Sequence, residues 1–288
     1  MAIKINRDGI QFRNFSITNS VDGIYIDGTF TANGQFVDAT QAQGSAFGYA
    51  AGGDISPGLT SDIDQFSFVS DGNGTDVGDL SSNRTTATGV SSTTSGYFVG
   101  GDAPPPGVVN IMDKFPFASL GTASDIGDLT ANKNGMSGHM STTDGYVAGG
   151  QEAPAPLTLV NKIEKFPFAT DTNASDTTDL TETKRIASGT SSTTHGYSAG
   201  GFTGSIVNTI EKFPFAIDSN ATDVGDLALS RHSTSGSNSS THGYAMGGYS
   251  GPPAGQSNNI QKFPFASDNN AGDIGNLTQS RNDATGQS

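Results

Sequence analysis

Along residues 44–288, apolar residues stand in short runs separated every ten positions or so by Gly, Ser, Thr, Asp and Asn. No stretch holds apolar spacing of 3.6 over a useful length, which excludes helical repeats and leaves short strands with closely spaced turns. The runs recur in register. A Gly-Tyr-x-x-Gly-Gly box starts at Gly48, Gly96, Gly145, Gly196 and Gly243. A Phe-x-Phe box follows at Phe66, Phe115, Phe166, Phe213 and Phe263. An acid or amide comes next (Asp79, Asp128, Asp179, Asp226, Asn276), then a Leu, a base and a Gly. The period of about 49 residues marks a repeat architecture. Four strands fit in each copy, for example Lys184–Ser191, Gly196–Gly200, Ile210–Ala216 and Asp223–Leu227.

A four-stranded antiparallel blade repeated about an axis predicts an all-β fold, a five-bladed β-propeller over 44–288. The first copy has its second to fourth strands but no motif-bearing first strand. Arg281–Ser288 has the pattern of a first strand with no second after it, so the C-terminal strand is expected to close blade 1. In the third strand both Phe rings share one face. The Pro between them (116, 167, 214, 264) removes a ladder donor and predicts a strand end or a bulge. Glycines are expected where strands crowd the axis. Residues 1–43 lack the boxes. Ile3, Ile5, Ile10, Phe12, Phe15, Ile17, Ile24, Tyr25, Ile26 and Phe30 suggest two or three strands turning at Asp8-Gly9 and Asp22-Gly23, followed by a linker at Ala32–Gln43. This small strand-rich segment has little of its own to bury against, and it is expected to dock on another chain or on copies of itself.

The boxes resemble the kelch repeat over residues 44–288. Tyr-x-x-Gly-Gly, the acid-x-aromatic of Glu164-Lys165-Phe166 and Glu211-Lys212-Phe213, and the Leu…Arg junction carry the resemblance. Kelch repeats usually carry a Trp three residues before that Leu. Here Val77, Ile126, Thr177, Val224 and Ile274 stand in its place. The tandem Lys-Phe-Pro-Phe-Ala and Ser-Ser-Thr-Thr-His-Gly-Tyr phrases, with the Met-Ala-Ile-Lys-Ile-Asn start, resemble repeat-rich virion proteins of tailed phages of marine bacteria. That resemblance implies a protein of the phage particle surface, of the tail-fibre or capsid-decoration type, with residues 1–43 as the anchor to other virion proteins. A secreted or surface lectin-like propeller with sugar pockets is the alternative.

Hydrophobic residues make up 33% of the chain, which predicts a thin core. With 39 Gly and 12 Pro in 288 residues, the chain stays below the roughly 25–30% content of disordered sequences. Net charge is −14, which argues against phosphate-backbone binding and hence against a nucleic-acid partner. The absence of Cys excludes disulfides and thiolate chemistry. No apolar run reaches the ~18 residues of a membrane span, and no secretory h-region follows the start.

The bases Arg84, Lys133, Lys184, Arg231 and Arg281 recur at the turn into each first strand. As a ring of five cations they would bind an anion or acidic sugar. As structural residues they would pair with nearby acids such as Asp79 or Asp226. Asp-x-Asn-x-x-Asp turns occur at Asp71/Asn73/Asp76, Asp171/Asn173/Asp176, Asp218/Asn220/Asp223 and Asp268/Asn270/Asp273, and Leu120 breaks the pattern in the second copy. Alternate oxygens suit Ca²⁺, but the bidentate Glu and fixed Gly of a calcium loop are missing, and Asx-turns explain the pattern. His195 and His242 fall in hairpins and read as turn residues. No catalytic constellation or cofactor motif is present, so the chain is expected to be neither an enzyme nor a cofactor protein. Repeat length varies in one loop only, between the Gly-Gly and the Phe box, where Pro104-Pro105-Pro106, Pro154 and Pro156, and Pro252-Pro253 lie. Variation confined to one face of a repeat protein marks either a candidate binding face or simply the loop that tolerates insertion.

Overall fold

The structure is a computed structural model and describes residues 29–30, 36–37, 46–55, 57–105 and 107–283. The expected strands at 3–17, the turns at Asp8-Gly9 and Asp22-Gly23, and residues 284–288 of the closing strand lie outside these. Two compact units are present, Met1–Ala39 and Thr40–Ser288. In the first, β1 (Thr29–Phe30) pairs with β2 (Phe36–Val37) antiparallel.

The second unit is all-β, with no helix among the described residues. Its first sheet has three strands, β3 (Phe47–Ile55), β4 (Gly58–Ser67) and β5 (Thr75–Asp79). The second has four, β6 (Thr88–Ser91), β7 (Ser95–Val99), β8 (Ile111–Pro116) and β9 (Ser124–Asp128). In the third repeat, β10 (Lys133–Asn134) precedes the main strands β11 (Ser137–Met140) and β12 (Asp144–Ala148). There β13 (Gln151–Glu152) and β14 (Thr158–Leu159) occupy the variable loop before β15 (Lys162–Pro167) and β16 (Ser175–Asp179). The fourth sheet is β17 (Ser188–Ser191), β18 (His195–Ala199), β19 (Thr209–Pro214) and β20 (Thr222–Asp226). The fifth is β21 (Ser235–Asn238), β22 (His242–Met246), β23 (Asn259–Pro264) and β24 (Gly272–Asn276). Every sheet is an open antiparallel ladder in chain order, and none closes on itself.

The boxes are explained by packing. Each Gly of the Gly-Tyr box pairs across the ladder with the first Phe, as Gly145 does with Phe166. The Phe ring lies over it: a Cβ on Gly145 would come within 2.3 Å of Phe166 Cζ. Each Phe-x-Phe strand ends at its Pro (116, 167, 214, 264), where a missing N–H costs nothing. The bulge lies elsewhere. In the last strands, Val77, Thr177, Val224 and Ile274 are the extra residues opposite Ile63/Asp64, Ile163/Glu164, Ile210/Glu211 and Ile260/Gln261. These are the positions where a kelch repeat would carry Trp. In the Gly-Gly box the first Gly has φ of 61–68° in every copy. A Cβ there would strike the backbone of the next repeat's base, 2.3 Å from Lys184 O in the case of Gly149.

Successive sheets meet along their first strands, β6 against β11, β11 against β17 and β17 against β21. Glycine makes that approach possible. A Cβ on Gly138 would lie 2.5 Å from Gly89 O, one on Gly189 2.4 Å from Gly138 O, and one on Gly236 2.2 Å from Gly189 O. Neighbouring sheets are also joined by an aromatic stack. Tyr49 stacks on Phe117, Tyr97 on Phe168, Tyr146 on Phe215 and Tyr197 on Phe265, at centroid distances of 4.8–5.1 Å. The core is correspondingly thin, with separate small clusters around these stacks.

Candidate functional site

Four of the five recurring bases are interior. Arg84, Lys133, Lys184 and Arg231 have relative exposures of 0–1%, while Arg281 is exposed. The band of five open cations expected from spacing is therefore four buried cations and one exposed one. Their partners are not the acids of the preceding strand, such as Asp79 or Asp226. Arg84 pairs with Asp113, Lys133 with Glu164 at 2.5 Å and Lys184 with Glu211 at 2.5 Å. Each acid stands two residues before the first Phe, beside the bulge. The same carboxylates accept the backbone N–H groups of Ser81, Thr130 and Thr181, which ties the turn to its own sheet. Arg84 also donates to Gly100 O and Ile111 O, 3.0 Å each. Burial pulls its guanidinium below the ordinary value, and Asp113 opposes the shift. The acid-x-aromatic spacing was legible in the sequence; that the acid turns inward onto the base was not.

The fifth sheet departs from this pattern. Gln261 occupies the acid's place and accepts Ala228 N–H at 3.0 Å. Arg231 donates to Gly247 O and Asn259 O, but its Nη2 and the Gln261 Nε2 have no partner among the described residues. Burial lowers the Arg231 pKa, with only partial opposition from the Asp273 charge.

The Asp-x-Asn turns act as joints between sheets. Lys114 pairs with Asp171 at 2.7 Å, Lys165 with Asp218 at 2.8 Å and Lys212 with Asp268 at 2.5 Å, each across one repeat boundary. The Asn of each turn accepts a backbone N–H of the preceding repeat: Asn173 from Asp128, Asn220 from Asp179 and Asn270 from Asp226. Asp76, Asp223 and Asp273 close Asx-turns on Gly78, Gly225 and Gly275. Leu120, where the sequence pattern breaks, belongs to the copy after the one whose lysine position holds Gln65. Among the described residues no group of three or more His, Cys, Asp or Glu is placed to hold a metal ion.

His195 and His242, expected in the hairpin turns, are instead the first residues of β18 and β22, paired across the ladder with Pro214 and Pro264, their Nδ1 atoms 2.8 Å from the Thr194 and Thr241 hydroxyls. The sequence reading missed His139. It is fully buried on β11 and reaches β17, with Nδ1 3.1 Å from Thr190 O and Nε2 3.0 Å from Ser137 Oγ. The Thr190 carbonyl can only accept, so Nδ1 carries a proton and donates to it. Burial holds its pKa down to about 4.

Residues two past each base form a relay. Gly135 N–H donates to Thr86 O, Ile186 to Gly135, Ser233 to Ile186 and Asp283 to Ser233, at 2.7–3.1 Å. All five have φ of 50–65°, a costly region for Ile186 in particular. They border one space of about 910 Å³ that every repeat helps to line.

Beside it the variable loops form a second set of ladders. The residue after each base pairs with the residue after Gly-Gly, and that one pairs with the loop's return arm. The sets are Thr85·Asp102·Val108, β10·β13·β14, Arg185·Phe202·Ile206 and His232·Tyr249·Gln256. The spine is repeat-encoded and the side chains are not. On the first three repeats they are acidic or amide and engaged: Asp54 takes Thr85, Asp102 takes Thr86 and Asn134, and Glu152, next to Gln151, takes Lys162. On the fourth and fifth they are cationic and aromatic. Arg185 lies 5.5 Å over the Phe202 ring, Phe202 6.1 Å from His232, and His232 5.5 Å from Tyr249.

No protein-family model matches the chain, and no curated protein matches it.

Proposed function

We propose that the second unit is a five-bladed propeller that serves as a non-enzymatic display head of a phage particle. In this reading residues 1–43 dock to other virion proteins, and the variable-loop face turns outward toward a host surface or glycan. The observation that carries the architecture is the set of unmatched joint halves. Each boundary between successive described repeats has a Tyr–Phe stack, and most have a Lys–Asp pair. The first and last repeats hold the complementary remainders. Phe68 is 50% exposed, while Tyr244 has no Phe stacked on it among the described residues. Asp71 and Lys262, and Asp64 and Arg281, lack ion-pair partners among the described residues. Joining these halves makes a fifth joint like the other four. The display role is supported by the confinement of length variation and non-repeating side chains to one face, and the phage setting by the resemblance of the repeat phrases.

The test of architecture is a double-mutant cycle on Phe68→Ala and Tyr244→Ala, read by thermal unfolding. A closed ring gives a coupling of about 0.5–1.5 kcal/mol, as for an aromatic pair. Additivity of the two substitutions rejects closure. The setting is tested by gold-labelled antibody on purified phage particles; absence of label from intact particles rejects it.

A further inference from the structure

We propose that Arg185, Phe202, His232 and Tyr249 form a binding site for an acidic sugar, a pyranose ring bearing one carboxylate. The site rests on the reading of the loop face as a recognition surface and supplies its ligand class. Three observations converge on it.

The first is a break in the repeat. The backbone at these positions is the same in repeats two to five, as antiparallel bridges at equivalent places. Conserving the spine while changing the side chains is what a scaffold does where the side chains meet a ligand. Thr85/Asp102 and Asn134/Gln151 give way to Arg185/Phe202 and His232/Tyr249.

The second is charge. The lysines of the sheet joints are paired, and four recurring bases are buried. Arg185 is partly exposed and has no carboxylate partner among the described residues, and its Nε has no hydrogen-bond partner. The guanidinium is fixed over Phe202, which pre-orders its planar fork. Such a fork matches a carboxylate with two parallel hydrogen bonds.

The third is the chain of rings. Phe202, His232 and Tyr249 follow one another at 5.5–6.1 Å, all partly exposed, across the fourth and fifth ladders. A sugar presents an apolar C–H face for such rings and hydroxyls for the imidazole and the phenol. A chain of net charge −14 repels a polyanion as a whole. One carboxylate on an otherwise neutral ring meets the Arg185 cation directly, with Asp283 the one acid among the described residues whose charge also reaches His232.

The experiment uses the full chain and two matched oligosaccharides, one ending in glucuronic acid and one in glucose, with binding measured calorimetrically at low and moderate salt. The expected result is binding of the acidic form about tenfold tighter than the neutral one. Arg185→Gln should erase that preference while leaving weak binding of both, and Tyr249→Ala should weaken both alike. Thermal unfolding of each variant separates loss of the site from loss of the fold. Equal binding of the two sugars, or an acid preference that survives Arg185→Gln, overturns the proposal. So does a preference for a carboxylate-rich peptide over the acidic sugar. Failure to bind either sugar also overturns it while leaving the display reading, judged on particles, in place.

Discussion

A buried cation is stable only when an anion or enough acceptors meet it, and removing one member of a buried pair costs about 3–5 kcal/mol. Three sheets meet this need with Asp113, Glu164 and Glu211; the fifth has Gln261, which offers one acceptor where a carboxylate offers two. Gln261→Glu should therefore add about 1–3 kcal/mol of stability at neutral pH for donors newly satisfied, read as a higher thermal midpoint. A lower midpoint would mean that desolvating the new charge outweighs the pairing. His139 sets a pH dependence. Its folded pKa near 4 lies below the ordinary 6.5, so the unfolded chain binds the proton first as pH falls. Its contribution is complete above about pH 6.5 and is lost as pH drops toward 4, at most about 3 kcal/mol. Burial also lowers the His195 and His232 pKa values, which adds to the same acid limb. His139→Val, with the residue that Val90 supplies in the second sheet, should flatten melting temperature against pH between 6.5 and 4. An unchanged slope would locate the titration elsewhere.

At the scale of elements, the first strands decide the spacing of the sheets. A Cβ on Gly189 would come 2.4 Å from Gly138 O, so β17 cannot stay against β11 once it carries an alanine. Gly189→Ala should cost about 1–3 kcal/mol as an overpacking substitution, read as a lower denaturant midpoint at unchanged slope. A neutral result would show that the strands can move apart freely. The bulged last strands and the Pro-ended third strands belong to the same logic. Proline position was readable from the chain because a missing N–H is a local fact. The bulge was not, because it is a register shift between two strands.

For the whole molecule, closure has a compact readout in Gly89. The glycines after it in the series each abut the preceding first strand, whereas a Cβ on Gly89 meets nothing within 4 Å among the described residues. If the ring is closed at the first repeat, Gly89→Ala should destabilise as much as Gly189→Ala. A neutral Gly89→Ala variant would show an open edge at the first repeat.

The sequence alone determined the repeat, the all-β class, the order of strands within each copy, the glycines at crowded positions and the loop where length varies. These follow from period, alternation and turn chemistry, which act over a few residues. The tertiary structure decided the direction of the charges. Arg84 and Arg185 look alike in the chain, one as a recurring base and the other as the residue next to Lys184. Only the pairing of each turn with a carboxylate some thirty residues away in its own sheet buries the first. Only the ladder between that turn and the loop beyond Gly-Gly leaves the second partly exposed over Phe202. A side chain's surroundings are set by strands distant in sequence, so spacing could locate the bases but not say which of them face solvent.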